Sequence, residues 1–211
     1  RVAEKARLLY VTDPLCSGCW ALEPAWRRLL YRYGDELSVS YAYGGLLPSW
    51  DGFHDRSNGI SAPADVAAHW DAVSRASGQP IDSSVWLRDP PASSFPASVA
   101  AVAVRLVAPE QEGRYLRRLR ELVFLERRNI ARQDVLREAL AAIEIDRDGW
   151  QAMIESGAAE NVFAADRTLA RHLGVRVFPT ILVEAAGTHP RAVAQGSLPP
   201  DVLERAVLDA V

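Results

Sequence analysis

Cys16 and Cys19 are the two cysteines of this 211-residue chain, and they stand together as Cys16-Ser17-Gly18-Cys19. Thiols at that spacing can close a small disulfide ring and open it again, passing an electron pair to another disulfide or taking one from another dithiol. An apolar run, Leu8-Leu9-Tyr10-Val11, precedes them, and a helical pattern from Ala21 to Tyr33 follows. A dithiol at the start of a helix meets unpaired backbone N–H groups and about half a positive charge, which favour a thiolate on the first sulfur. That is the arrangement of a dithiol that exchanges electrons with other thiols.

A C-x-x-C has two other uses. Tetrahedral zinc wants about four ligands, yet there is no second cysteine pair, and His54, His69, His172 and His189 are scattered. No metal and no cofactor are therefore expected. An inert disulfide, or a pair of unreactive buried thiols, stays open from the residues alone.

The elements that must position the cysteines are legible on either side. Leu8 to Thr12 reads as a buried strand. The helix after the cysteines places Leu22, Trp26, Leu29 and Leu30 on one side and Arg27 and Arg28 on the other, with Pro24 expected to kink it. Gly34 closes it as a C′ residue. Leu37 to Tyr43 alternates and reads as a second strand, which makes a β-α-β unit with parallel strands.

From residue 49 to 157 the pattern is helical throughout. Ser61 and Pro63 open a helix that Gly78 ends. Ser98 to Ala108 is apolar on nearly all sides and reads as a buried helix. Further stripes run through Tyr115, Leu119 and Leu122, through Val135 to Ile143, and through Trp150, Met153 and Ile154. Mixed structure then returns: a helix through Val162, Ala165, Leu169 and Leu173, closed by Gly174, and a strand starting at about Pro179. A hairpin turn is read at Ala185-Ala186-Gly187-Thr188, a strand at Ala192-Val193-Ala194, and a last helix from Pro200 to Ala210. The expected division is a discontinuous domain, 1–48 with 158–211, around a helical insertion, 49–157.

Composition limits the partners. A net charge of −3 and 49% hydrophobic residues give a globular chain with no electrostatic case for nucleic acid. Nothing approaches the roughly 18 consecutive apolar residues of a membrane span. No leader pattern is read, and the chain opens on Arg1 rather than Met. With both cysteines in one motif, none is left for a structural bridge, which points to a reducing, cytoplasmic setting.

Asp13-Pro14-Leu15-Cys16-Ser17-Gly18-Cys19-Trp20, Pro24, Trp86-Leu87-Arg88-Asp89-Pro90-Pro91 with Ser93-Ser94, and Val177-Phe178-Pro179-Thr180 together resemble the DsbA family. The resemblance runs from about Leu8 to Val207. It implies an α/β thioredoxin-like fold with an all-helical insertion domain. A finer likeness, carried by Asp13 to Pro24, Ser93 to Ala101 and Phe124 to Ile130, is to a cytosolic branch whose bacterial members are adaptors for the ClpXP protease.

The resemblance also implies roles. Cys16 is the exposed nucleophile and Cys19 the resolving thiol. Phe178-Pro179 is the cis-proline dipeptide facing them, with the Phe178 backbone available to an extended substrate. The implied substrates are protein thiols or small disulfides; the alternative is a non-enzymatic adaptor whose partners are a protease-targeted protein and ClpXP. Kappa-class glutathione transferases share the inserted fold but usually carry serine where Cys16 stands. Ser17-Gly18 has neither the histidine of strong oxidants nor a proline, and Asp13 lies close, so a less perturbed Cys16 is expected.

Minor candidates have plain alternatives. Trp20 either contacts partners or packs. Glu23 is by default a surface carboxylate, with a proton relay to Cys19 as its functional reading. His54 lies in a loop that could face substrate. Ser93 and Ser94 read as helix caps. Arg114, Arg117, Arg118, Arg120, Arg127 and Arg128 read as a solvated face rather than a site for an acidic partner.

Overall fold

The computed structural model describes residues 6–184 and 189–211. Its strands are β1 (Ala6–Thr12), β2 (Leu37–Tyr43), β3 (Thr180–Glu184) and β4 (Arg191–Gln195). The helices are α1 (Ser17–Tyr33), α2 (Pro63–Ser77), α3 (Val85–Arg88), α4 (Phe95–Val107), α5 (Glu112–Phe124), α6 (Gln133–Ala139), α7 (Arg147–Glu155), α8 (Ala158–His172) and α9 (Pro200–Leu208). The chain forms two compact units, Arg1–Gly44 with Asp166–Val211 and Gly45–Ala165. The second boundary falls inside α8, because Gly157 starts that helix and does not separate units.

In the first unit the strands form one sheet in the order β2-β1-β3-β4. β1 pairs parallel with β2, Tyr10 opposite Tyr41 and Thr12 opposite Tyr43. It pairs antiparallel with β3, Val11 opposite Thr180. β4 adds an antiparallel edge; the turn expected at Ala185–Thr188 lies outside the described residues. β1 reads as a continuous apolar run because both its faces are covered. Leu8 and Tyr10 pack with Leu22, Ala25, Trp26 and Leu29 of α1 and Leu203 and Val207 of α9. Val11, on the other face, packs with Ala42, Leu182 and Ala170 of α8. The Tyr10 and Trp26 rings lie 4.8 Å apart, a pair worth about 0.5–1.5 kcal/mol beyond the area it buries.

Two local expectations are corrected. The helix begins at Ser17, not Ala21, because Cys16 itself caps it. Gly34 sits in the right-handed region, φ −60°, and not in the left-handed one of a C′ glycine. A Cβ there would lie 2.5 Å from the Leu30 carbonyl oxygen, so it is close approach that requires glycine. Pro24 lies on the exposed side of α1, and the helix continues past it to Tyr33.

The second unit is helical around aromatic contacts. Trp70 packs on Phe124 with centroids 4.3 Å apart and on Trp86 at 5.2 Å. α4 is buried almost all round, and the Trp150 indole N–H bonds to the Ala100 carbonyl at 3.0 Å. The N-cap of α4 is Ser94, with no side-chain cap bond, while Ser93, one residue before it, accepts the Phe95 N–H on its Oγ at 3.0 Å. Ser94 is spent differently, accepting the Leu47 N–H at 3.1 Å. Gly78 ends α2 at φ 74°, where glycine is the least strained choice.

Candidate functional site

Asp13-Pro14-Leu15 turns the chain out of β1 into α1. The buried Asp13 carboxylate accepts the Leu15 N–H at 2.9 Å, and its carbonyl accepts the Cys16 N–H at 3.2 Å. Cys16 follows as the N-cap, with extended backbone (φ −77°, ψ 110°). Its Sγ takes the place a serine or aspartate oxygen usually fills and accepts the Cys19 N–H at 3.1 Å. A donor aimed at the sulfur favours the thiolate.

The opposing influence comes from the segment before β3. The Phe178–Pro179 peptide is cis. The Phe178 carbonyl lies 3.5 Å from Cys16 Sγ and accepts its thiol proton, which favours the neutral form. The segment is pinned on both sides of Phe178. Thr180 Oγ1 donates to the Val177 carbonyl at 2.8 Å, and the Gly196 N–H donates to the Pro179 carbonyl at 2.8 Å. Cys16 is thus held between a donor and an acceptor, each from a fixed backbone.

Glycine makes this closeness possible in two places. A Cβ on Gly18 would lie 3.2 Å from the Phe178 carbonyl oxygen and 3.4 Å from Pro179 Cδ. A Cβ on Gly44 would lie 1.9 Å from Cζ of the Phe178 ring. Sequence reasoning missed Gly44; its one signal is the Gly44-Gly45 pair at the end of a predicted strand. Asp166 was missed too. Its buried carboxylate accepts the Tyr43 N–H at 3.1 Å at the end of β2.

Cys16, Cys19, Phe178 and Pro179 are brought together; other candidates fall elsewhere. Neither cysteine is in a disulfide, and both are buried, Cys16 at 5% exposure and Cys19 at 0%. The expectation of an exposed Cys16 is therefore corrected: as a cap, its sulfur turns onto the first turn of α1 and towards Phe178. Trp20 is 4% exposed and Glu23 5%. Glu23 is thus not the surface carboxylate of the default reading, since it lies on the flank of α1 that carries the buried Leu22 and Trp26. His54, His172 and His189 are exposed. His69 is half-buried, and desolvation lowers its pKa against the opposing pull of Asp55. Arg117 and Arg118 of α5, and Arg127 and Arg128 of the loop after it, are paired with acids. Arg117 meets Glu121 at 2.7 Å, Arg128 meets Glu138 at 2.7 Å, and Arg118 meets Glu126. Among the described residues no three His, Cys, Asp or Glu side chains gather as a metal site, and no helix is long and apolar enough to cross a membrane.

A family profile described as thioredoxin matches residues 9–191. The ClpXP adapter protein SpxH of Halalkalibacterium halodurans is 31% identical over 170 residues, covering 81% of this chain and 56% of that protein. The chain thus spans little more than half the length of that relative. A solved structure from Nitrosomonas europaea superposes with a TM-score of 0.81 at 23% identity, covering 98% of this chain and 97% of that one. The cytosolic disulfide reductase DsbM of Pseudomonas aeruginosa superposes with a TM-score of 0.76, also at 23% identity, over 96% and 97% of the two chains. At that identity the two structures speak for the fold, a thioredoxin-like sheet with a substantial helical portion.

Proposed function

The chain belongs to the thioredoxin family, and on that premise we propose that it is a thiol–disulfide oxidoreductase of DsbA type working through Cys16 and Cys19. The observation that carries this reading is Cys16 Sγ at the N-cap of α1, accepting the Cys19 N–H and facing the Phe178 carbonyl. A capping sulfur has its thiolate stabilised by the helix terminus without any cofactor.

The relative burial of the two cysteines supports an order of events. Cys19 is fully enclosed, so the substrate sulfur meets Cys16 first. The Cys16 thiolate attacks one sulfur of a substrate disulfide; that bond breaks, and the other half leaves as a thiolate that takes up a proton. Cys19 loses its proton and attacks Cys16 Sγ, releasing the second thiol and leaving a Cys16–Cys19 disulfide. The substrate has gained two electrons and the protein has lost two; an external dithiol returns them. Run backwards, the same steps oxidise a substrate dithiol. The substrates proposed are protein thiols or small disulfides in a cytoplasmic setting. Phe178 and Pro179 line the approach with Trp20 beside Cys19, and Glu23, a buried carboxylate four residues past Cys19, relays its proton.

A second reading is favoured by the relative named a ClpXP adapter. Here the same surface docks a partner protein for delivery to ClpXP and the thiols are dispensable. A Cys19→Ala variant used to trap partners from lysate separates the two. Partners that require reductant for release support exchange at Cys16; partners that persist in reductant, with no covalent species, support docking.

A further inference from the structure

Gly44 follows β2 and extends the parallel ladder, its N–H bonding to the Thr12 carbonyl at 2.9 Å. The Phe178 ring lies against it so closely that a Cβ would sit 1.9 Å from Cζ, 2.3 Å from Cε1 and 2.8 Å from Cε2. Carbon atoms in contact need roughly 3.5–4.0 Å, so any side chain at position 44 displaces the ring. Phe178 also packs against the buried cluster of Val11, Ala42, Ala170 and Leu182, which bounds it on that side. The carbonyl of this same residue accepts the Cys16 thiol proton at 3.5 Å.

We infer that Gly44 is a positioning residue for the reactive thiol: by seating the Phe178 ring it aims the Phe178 carbonyl at Cys16 Sγ and sets that thiol's protonation. The inference rests on the dithiol reading, in which Cys16 is the attacking sulfur. A displaced ring carries the carbonyl away, the neutral thiol loses that acceptor, and the Cys19 N–H still donates to the sulfur. The thiolate is then favoured at lower pH.

The test is the pH profile of Cys16 alkylation by iodoacetamide, with Cys16 read apart from Cys19 by peptide mass. It needs no disulfide-exchange activity, so its outcome is independent of whether exchange is the protein's function. Gly44→Ala is expected to lower the midpoint by roughly half a pH unit, about a threefold rise in thiolate below the midpoint. In a Phe178→Ala background, where there is no ring to displace, Gly44→Ala is expected to move the midpoint no further, the non-additivity of residues that act as a unit. An unchanged midpoint in Gly44→Ala overturns the inference, as does an equal fall in both backgrounds. Should Gly44→Ala not fold, the double variant decides. If folded with the midpoint of Phe178→Ala, it supports the seat; if unfolded, Gly44 serves the end of β2 on its own account and the inference fails.

Discussion

Cys16 Sγ meets a backbone donor and a backbone acceptor, and each is placed by a residue that carries no charge. The Cys19 N–H follows from Cys16 being the cap; the Phe178 carbonyl follows from two glycines that leave it room. Gly18 offers a direct test. Alanine favours a helix over glycine by up to about 1 kcal/mol, which offsets the crowding of its Cβ against Phe178, so Gly18→Ala should change the thermal midpoint little. Its Cβ, 3.2 Å from the Phe178 carbonyl oxygen, is tight against a backbone pinned on both sides, so the carbonyl must give way. Alkylation of Cys16 at mildly acidic pH should therefore accelerate, by about threefold for half a pH unit. A lower melting temperature with unaltered alkylation would count against this account. The cysteine motif was legible because residue type alone carries its chemistry, and the Val177-Phe178-Pro179-Thr180 segment because it resembles the DsbA family's cis-proline segment. The room left by Gly18 and Gly44 was not, since a contact across 134 residues, from Gly44 to Phe178, leaves no local pattern.

The elements that hold the site rest on ordinary backbone accounting. β2 ends with the Tyr43 N–H bonded to the buried Asp166 carboxylate of α8 at 3.1 Å. Asp166→Ala removes that acceptor and should cost about 1–3 kcal/mol, measured by urea denaturation. Asp166→Asn, which keeps an oxygen there, should cost much less. At the start of α2, the Asp65 carboxylate accepts the Ser61 N–H at 2.9 Å, the Ser61 hydroxyl at 3.1 Å and the Ala62 N–H at 3.0 Å. These bonds hold its pKa below the ordinary 3.8. A carboxyl lowered in the folded state contributes stability above its unfolded pKa and loses it as the pH falls through the folded one. Asp65→Ala should therefore lower the thermal midpoint at neutral pH and change it little once the medium is well below pH 3.8. Helices and strands were readable from apolar period and punctuation. The start of α1 was not, because Ser17 and Gly18 are weak helix formers that only the capping sulfur recruits.

At the scale of the whole chain, the sequence pattern strand–CxxC–helix–strand, helical block, helix–strand–strand–helix is the observed element order. Such an order is legible because it needs only the type of each element, not its contacts. The choice between chemistry and docking belongs to this scale, since fold likeness serves both equally. The central claim is that Cys16 and Cys19 pass electrons as a pair, and stoichiometric reduction of a test disulfide by the pre-reduced protein, followed by intact mass, tests it most directly. The native protein should lose the mass of its two thiol hydrogens as two product thiols appear. Cys19→Ala should stop as a mixed disulfide on Cys16, and Cys16→Ala should leave the test disulfide intact. Undiminished reduction by Cys16→Ala, or a native protein whose mass never changes, would contradict the account.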